Sequence, residues 1–182
     1  LKTKGWQMLS FNCIGNVSNT FAVLADASWG IDDKIMTRDP FLKFATFTGE
    51  RFVGGLWKHD RLLPSLGYKV FYSGNASLPV MLEQTSRLPQ LPVEDVVLTK
   101  GWNWIGHAPL TSYDINTGIT AVNGDVFTVD DQIKTRYGSY VSFSTYDGSV
   151  FQGGLLELEP GVGYEVKVAQ VVTFRYTTSS PP

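Results

Sequence analysis

Residues 141–155 read VSFSTYDGSVFQGGL, and residues 42–56 read LKFATFTGERFVGGL. In both stretches alternating residues are followed by a turn with Gly148 or Gly49, a second short strand and a Gly-Gly pair. Strict alternation predicts a half-buried β-strand, and the glycine directly after it predicts a tight hairpin turn. The Gly-Gly pair predicts a bulge or a close approach of two backbones. The chain therefore encodes the same β-hairpin twice.

Three other blocks recur in the same order, and all four do so at offsets of 96 to 99 residues. They are KGW at 4–6 and 100–102, DDKIMTR at 32–38 and DDQIKTR at 130–136, and LLPSLGYKV at 62–70 and LEPGVGYEV at 158–166. Recurrence at a fixed spacing is typical of an internally duplicated fold. It predicts an all-β protein with two tandem antiparallel β-units, related by a pseudo-two-fold and sandwich-like or barrel-like.

The blocks also suggest boundaries. We expect a first β-repeat over residues 1–82, an extended connector over 83–97, a second β-repeat over 98–176 and a tail over 177–182. Aromatic residues that recur in both copies are expected to anchor the two cores, because buried aromatic rings contribute strongly to packing. These anchors are Trp6, Trp102, Phe44, Phe143, Phe52, Phe151, Tyr68 and Tyr164.

Composition restricts the functional classes. The 182 residues are 43% hydrophobic and 18% charged, with a net charge of −2, which is typical of a globular chain. The charges are dispersed and form no basic patch, which argues against nucleic acid as a partner. No stretch approaches the roughly 20 apolar residues that a membrane-spanning helix needs. Cys13 is the single cysteine, so we expect a reduced, buried thiol and no intramolecular disulfide.

Residues capable of catalysis are few, and the strongest candidates do not recur. His59 and His107 each occur in one copy, so we interpret them as a loop histidine and a strand-end histidine. The Asp-Asp pairs at 32–33 and 130–131 recur, and we expect one carboxylate of each to accept backbone N–H bonds in a turn. The run 123–125 with the second Asp pair matches no calcium-loop spacing. We therefore predict no catalytic residues, no bound metal and no cofactor.

Residues present in only one copy are free to make contacts outside the fold. The insertion at 57–60 carries Trp57 and His59, and Trp29 also has no counterpart, so these three are candidate self-assembly contacts. Asn16 and Asn75 begin glycosylation sequons, which matter only in a secreted chain.

The recurring motifs resemble a known family. The Gly-Trp strand GWNWIG at 101–106, the Gly-Gly-Leu after the hairpin and LEPGVGY at 158–164 are similar to the paired β-repeats of algal (diatom) pyrenoid shell proteins. Those proteins surround the Rubisco condensate inside diatom chloroplasts. The resemblance runs from about Lys4 to Tyr176. The first copy departs from it with Gln7-Met8 in place of Asn103-Trp104, and with Ser65 in place of Gly161.

The resemblance implies a structural protein that self-assembles into a sheet or shell, with no catalysis and no cofactor. The implied partners are further copies of the chain and pyrenoid components, and the implied location is the chloroplast, after removal of a leader from a longer precursor. The alternative is a carbohydrate-binding or adhesive module of an extracellular surface protein. In that case Trp29 and Trp57 would form a sugar platform, and the Thr-Ser-Pro tail would be a glycosylated linker. An enzyme ranks third.

Overall fold

The computed structural model describes residues 4–11, 29–38, 41–58, 63, 65–73 and 95–177. Within these ranges the chain is all-β, with several antiparallel sheets, one short 3₁₀ helix over Gly55–Lys58 and no closed barrel, which confirms the predicted class. The strands are β1 Gly5–Leu9, β2 Lys34–Arg38, β3 Leu42–Phe47, β4 Phe52–Gly54, β5 Tyr68–Tyr72, β6 Val96–Leu98, β7 Gly101–Gly106, β8 Tyr113–Asp114, β9 Ile119–Ala121, β10 Gln132–Tyr137, β11 Tyr140–Tyr146, β12 Phe151–Gly153, β13 Glu157–Leu158, β14 Gly163–Val168 and β15 Val172–Tyr176.

The chain forms two units with the same strand order. Unit 1, residues 4–73, is ordered β1-β5-β2-β3-β4, and unit 2, residues 95–177, contains the order β7-β14-β10-β11-β12. The registers also agree, because Gly5 pairs with Tyr72 as Gly101 pairs with Val168. Equivalent strands of the two units therefore place equivalent residues opposite one another.

The repeated Asp pairs form the turn that precedes β2 and β10. Asp32 and Asp130 have φ of 70° and 71°, a left-handed conformation that Asp tolerates better than most residues. Asp33 and Asp131 are buried, and each accepts hydrogen bonds from two backbone N–H groups at 2.7 to 2.9 Å. One donor lies three residues earlier, and the other directly follows β5 in unit 1 and β14 in unit 2. This arrangement confirms that the Asp pairs are structural turns.

The hairpin glycines also adopt the predicted conformations. Gly49 and Gly148 have φ of 101° and 103° in the turns after β3 and β11. Gly54 and Gly153 lie so close to the neighbouring strand that a Cβ on either would stand 2.4 Å from a backbone carbonyl oxygen. The close approach expected from the Gly-Gly pairs is therefore present in both units.

Each unit encloses its own hydrophobic core. Tyr68 and Tyr164 are both 1% exposed, and Phe52 and Phe151 are buried at equivalent positions beside them. The two tyrosine hydroxyls accept hydrogen bonds from equivalent backbone N–H groups, those of Leu63 and Glu159, at 2.9 and 2.7 Å. These four aromatic residues occupy the core positions that the sequence predicted.

The other four predicted core anchors do not lie in a core. Phe44 and Phe143 are 51% and 53% exposed, because the next residue along each strand is the one that points inward. Trp6 and Trp102 are half-buried on the sheet face opposite the cores. The prediction was wrong for these residues because alternation separates the two faces of a strand without showing which face is the core.

Among the described residues, unit 2 also contains strands outside the order that the two units share. β15 pairs with β6 and β9 in a three-stranded sheet, and β8 pairs with β13. β6 begins at Val96, inside the predicted connector over 83–97, so the end of that segment belongs to unit 2. Arg175 on β15 also forms an exposed ion pair, at 2.6 Å, with Asp95 directly before β6, which adds a side-chain contact between these two strands.

Reciprocal contacts join the two units. Leu9 of β1 forms a β-bridge with Val162, just before β14 of unit 2. Ile105 of β7 forms the reciprocal bridge with Leu66, just before β5 of unit 1. β1 also pairs with β10 at a single position. β2 and β7 lie side by side without a ladder, linked by a 3.5 Å hydrogen bond from the Arg38 guanidinium to a β7 carbonyl. The contacts follow a pseudo-two-fold, and the sheet remains open.

Candidate functional site

The outer strands of each unit present a face centred on an exposed phenylalanine, and this face is more apolar in unit 1 than in unit 2, where it includes Gln152 and the half-buried Val141. We call these surfaces outer face 1, formed by Leu42, Phe44 and Val53, and outer face 2, formed by Val141, Phe143 and Gln152. The hairpins bring them to equivalent places, since Phe44 and Phe143 occupy matching registers on β3 and β11. Exposed aromatic residues also stand at the strand starts, Phe41 at 77% and Tyr140 at 64%, and alternation along β11 places Tyr140 on the sheet face opposite Phe143.

The backbone edges beside these faces are short. β4 and β12 contain three residues each, and both end in a glycine that lies against the neighbouring strand. Short edge strands offer few unpaired N–H and C=O groups for extending a sheet. Contacts between molecules at this end of each unit would therefore involve side chains on the faces more than the strand edges.

A second candidate site lies where the units meet. This junction cluster consists of Trp6 and Lys69 from unit 1 and Trp102, Trp104, Lys134 and Glu165 from unit 2. Every member lies on the sheet face opposite the cores, as their alternation with buried core residues requires.

One carboxylate holds the junction cluster together. Glu165 bonds Lys69 at 3.1 Å across the units and Lys134 at 2.9 Å within unit 2. Burial opposes ionisation of Glu165, but the hydrogen bonds and charges of the two lysines outweigh it and hold its pKa below the usual value. Glu165 therefore remains charged at neutral pH.

The lysines also cover the indole rings. The Lys134 ammonium lies 3.9 Å from the ring centroid of Trp102, and the Lys69 ammonium lies 5.8 and 5.6 Å from those of Trp6 and Trp104. Such cation–π contacts contribute roughly 0.5–2 kcal/mol, more where water is excluded. The three indole rings therefore already contact lysines of the same chain, and the cluster is a stabilising contact between the units.

His107 directly follows β7 and is buried. Its Nε2 lies 2.8 Å from the Thr111 carbonyl, and its ring packs edge-on against Tyr113 and Tyr176. Burial lowers the pKa of His107, and the hydrogen bond to Thr111 partly opposes that shift. Ser10 donates to the backbone carbonyl of His107, so this Ser–His contact does not involve the imidazole. The environment is that of a structural histidine at a strand end.

Of the three predicted assembly contacts, the structure describes the side chain of Trp29 alone. Trp29 is 8% exposed and packs edge-on against Phe52 in the core of unit 1, so its assignment as a surface contact was wrong. The structure assigns Trp57 to the short 3₁₀ helix by its backbone alone. The Trp57 side chain, His59, Cys13, both sequons, connector residues 83–94 and tail residues 178–182 lie outside the described residues.

Sequence reasoning missed the junction cluster, although a signal was present. Positions 69 and 165 are equivalent, yet one holds Lys and the other Glu. Opposite charges at equivalent positions of a repeat are what an ion pair across a pseudo-two-fold axis requires.

No group of metal-ligating side chains occurs among the described residues, and no helix there is long and apolar enough to cross a bilayer. Comparison with protein-family models, curated proteins and solved structures finds no match to this chain.

Proposed function

We propose that this chain is a non-enzymatic structural protein that arose by internal duplication and assembles with copies of itself into a sheet or tube. The observation that carries the proposal is the recurrence of the outer face at equivalent places in both units. Phe44 and Phe143 are the central residues of the two faces, and both are about half exposed.

The valency of the molecule supports open-ended assembly. A chain with one apolar face can form only a closed pair through that face. Two similar faces on one chain let each copy contact two neighbours, which is the requirement for filaments and lattices. The outer faces belong to different units, so a neighbour on one leaves the other available.

The free energy gained by burying these exposed phenylalanines is sufficient for weak, repeated contacts. A half-exposed phenylalanine leaves roughly 100 Å² to be buried, worth about 2–3 kcal/mol at about 25 cal/mol per Å². The low net charge of −2 gives little electrostatic repulsion between copies. Contacts of this kind become strong in a lattice, where each copy makes several of them.

The motif resemblance supports the finer part of the proposal. We place the assembly in the shell around the Rubisco condensate of an algal pyrenoid, within the chloroplast, with the chain itself and pyrenoid components as partners. The extracellular carbohydrate-binding alternative loses one half of its aromatic platform, since Trp29 is buried in the core of unit 1.

The proposal is tested by sedimentation velocity and negative-stain imaging over a range of protein and salt concentrations. We expect the wild type to form large species without any ligand and to retain them at high salt, because apolar contacts are not screened by ions. A wild type that remains monomeric at high concentration and binds an oligosaccharide in calorimetry would refute self-assembly and favour the adhesive module.

Face variants make the test specific. Phe44→Ser with Phe143→Ser should give monomers, and each single change should stop growth at dimers or monomers. Leu156→Ser is the matched control, because Leu156 is 60% exposed and lies outside both outer faces. Assembly of the double variant at the wild-type level would contradict the role of these faces.

A further inference from the structure

The junction between the units differs from the rest of the repeat, because equivalent positions carry unlike residues. Unit 1 places Met36 and Lys69 where unit 2 places Lys134 and Glu165. In both units these two positions are directly paired on adjacent strands. The difference is therefore a change of side chains within one shared geometry.

The charges at this junction favour a contact between unlike units. Lys69 meets Glu165 at 3.1 Å across the interface. Two copies of unit 1 joined in the same way would oppose Lys69 to Lys69, with no carboxylate from either Met36 position. Two copies of unit 2 would oppose Glu165 to Glu165. Like charges placed opposite one another in a partly buried contact cost several kcal/mol.

Side-chain size points the same way. Met8 of unit 1 and Trp104 of unit 2 occupy equivalent positions on β1 and β7, and Met8 is fully buried. Pairing like units would bring two indoles or two thioethers to places that now hold one of each. Overfilled interfaces and underfilled interfaces both lose stability.

We propose that the junction is a recognition surface whose partner is the unlike unit of this chain, and that the residues at positions 36, 69, 134 and 165 reject like units. Met36 and Lys134 pair directly with Phe44 and Phe143, so this surface adjoins the outer faces. The contact that it makes lies within one chain, so the inference does not depend on self-assembly. It gives the molecule one defined internal pairing and leaves the outer faces for other copies.

The test uses the full-length chain with a specific protease recognition sequence inserted at Gln90, in the predicted connector. The protein carries Phe44→Ser and Phe143→Ser, so that contacts through the outer faces do not contribute. After cleavage, the two fragments of this parent protein should co-elute from a sizing column as a one-to-one pair. Separation of its fragments on cleavage would overturn the proposal.

Charge reversal then tests specificity. Lys69→Glu opposes two glutamates, and the cleaved fragments should bind each other at least about 100-fold more weakly. Lys100→Glu is the matched control, since it changes the net charge equally at an exposed position and should have no effect. Equal fragment affinity for Lys69→Glu and Lys100→Glu would contradict the proposed role.

Exchange of the junction residues separates recognition from general stability. The variant Met36→Lys, Lys69→Glu, Lys134→Met and Glu165→Lys moves each residue pair to the other unit. Because the positions are equivalent, co-elution should return to within about tenfold of the parent protein. Failure of this exchange to recover binding lost in Lys69→Glu would show that Lys69 contributes only local stability, and would refute recognition by charge.

Discussion

Replacing Gly163 with alanine would bring a methyl group into steric clash with the backbone of the other unit. The added Cβ would stand 2.4 Å from the Leu9 carbonyl oxygen and 2.9 Å from the Leu9 backbone nitrogen. Gly67 meets Ile105 in the reciprocal contact, where a Cβ would stand 2.7 Å from the carbonyl oxygen. The obstacle in both cases is backbone, which cannot move aside as a flexible side chain can, so the units must separate locally.

The expected cost follows from that separation. Overpacking a tight contact costs about 1–3 kcal/mol, and weakening the neighbouring 3.0 Å hydrogen bond from Ser10 N–H to the Gly161 carbonyl costs about 1 kcal/mol more. A loss of about 2–4 kcal/mol in a chain of this size lowers Tm by about 4–16 °C. Gly67→Ala should act similarly, because its contact is equivalent.

Thermal unfolding followed by circular dichroism measures the effect, with Gly55→Ala as the control. A Cβ at Gly55 has nothing within 4 Å, so that variant reports the change in the unfolded chain that every Gly→Ala substitution shares. We expect Gly55→Ala within about 0.5 kcal/mol of the wild type. Equal Tm values for Gly163→Ala and Gly55→Ala would refute the close reciprocal contact between the units.

Three further predictions concern stability. Asp131→Asn should cost about 2–4 kcal/mol in denaturant unfolding, because an amide cannot accept both backbone N–H groups that the carboxylate holds at 2.8 Å, whereas exposed Asp130→Asn should be nearly neutral. Tyr164→Phe should cost about 1–3 kcal/mol by leaving the Glu159 N–H without its 2.7 Å acceptor; no loss in a urea titration would contradict that bond. The lowered pKa of His107 means that below about pH 6.5 the unfolded chain binds a proton more readily than the folded chain. Stability should therefore fall as pH drops from 6.5 towards the folded pKa, and an equal slope in His107→Gln would exclude this histidine as the cause.

Much of the local structure could be predicted from sequence. One aspartate of each Asp-Asp pair was expected to accept backbone N–H bonds in a turn, and Gly49 and Gly148 were expected to be hairpin residues, because these roles depend on short-range backbone chemistry. The structure identifies the acceptors as Asp33 and Asp131. The buried tyrosines at 68 and 164 were also predicted, as aromatic residues that recur in both copies.

The errors arose where the answer depends on distant parts of the chain. Phe44 and Trp29 were assigned to the wrong environments because hydrophobicity alone does not show which face of a strand another segment covers. Unit 1 buries Trp29 against Phe52 and leaves Phe44 in solvent. The contact between Lys69 and Glu165 joins residues 96 positions apart, so no local pattern could pair them.

By itself, the sequence determined the elements: two sets of short antiparallel strands and their turns, set by alternation, glycine conformations and Asp–backbone bonds within each unit. Only the tertiary structure decided which faces were buried, which aromatic residues remained exposed, and how the units meet around Glu165. Burial and charge pairing are properties of surfaces brought together in space, and those surfaces exist only after each unit has folded.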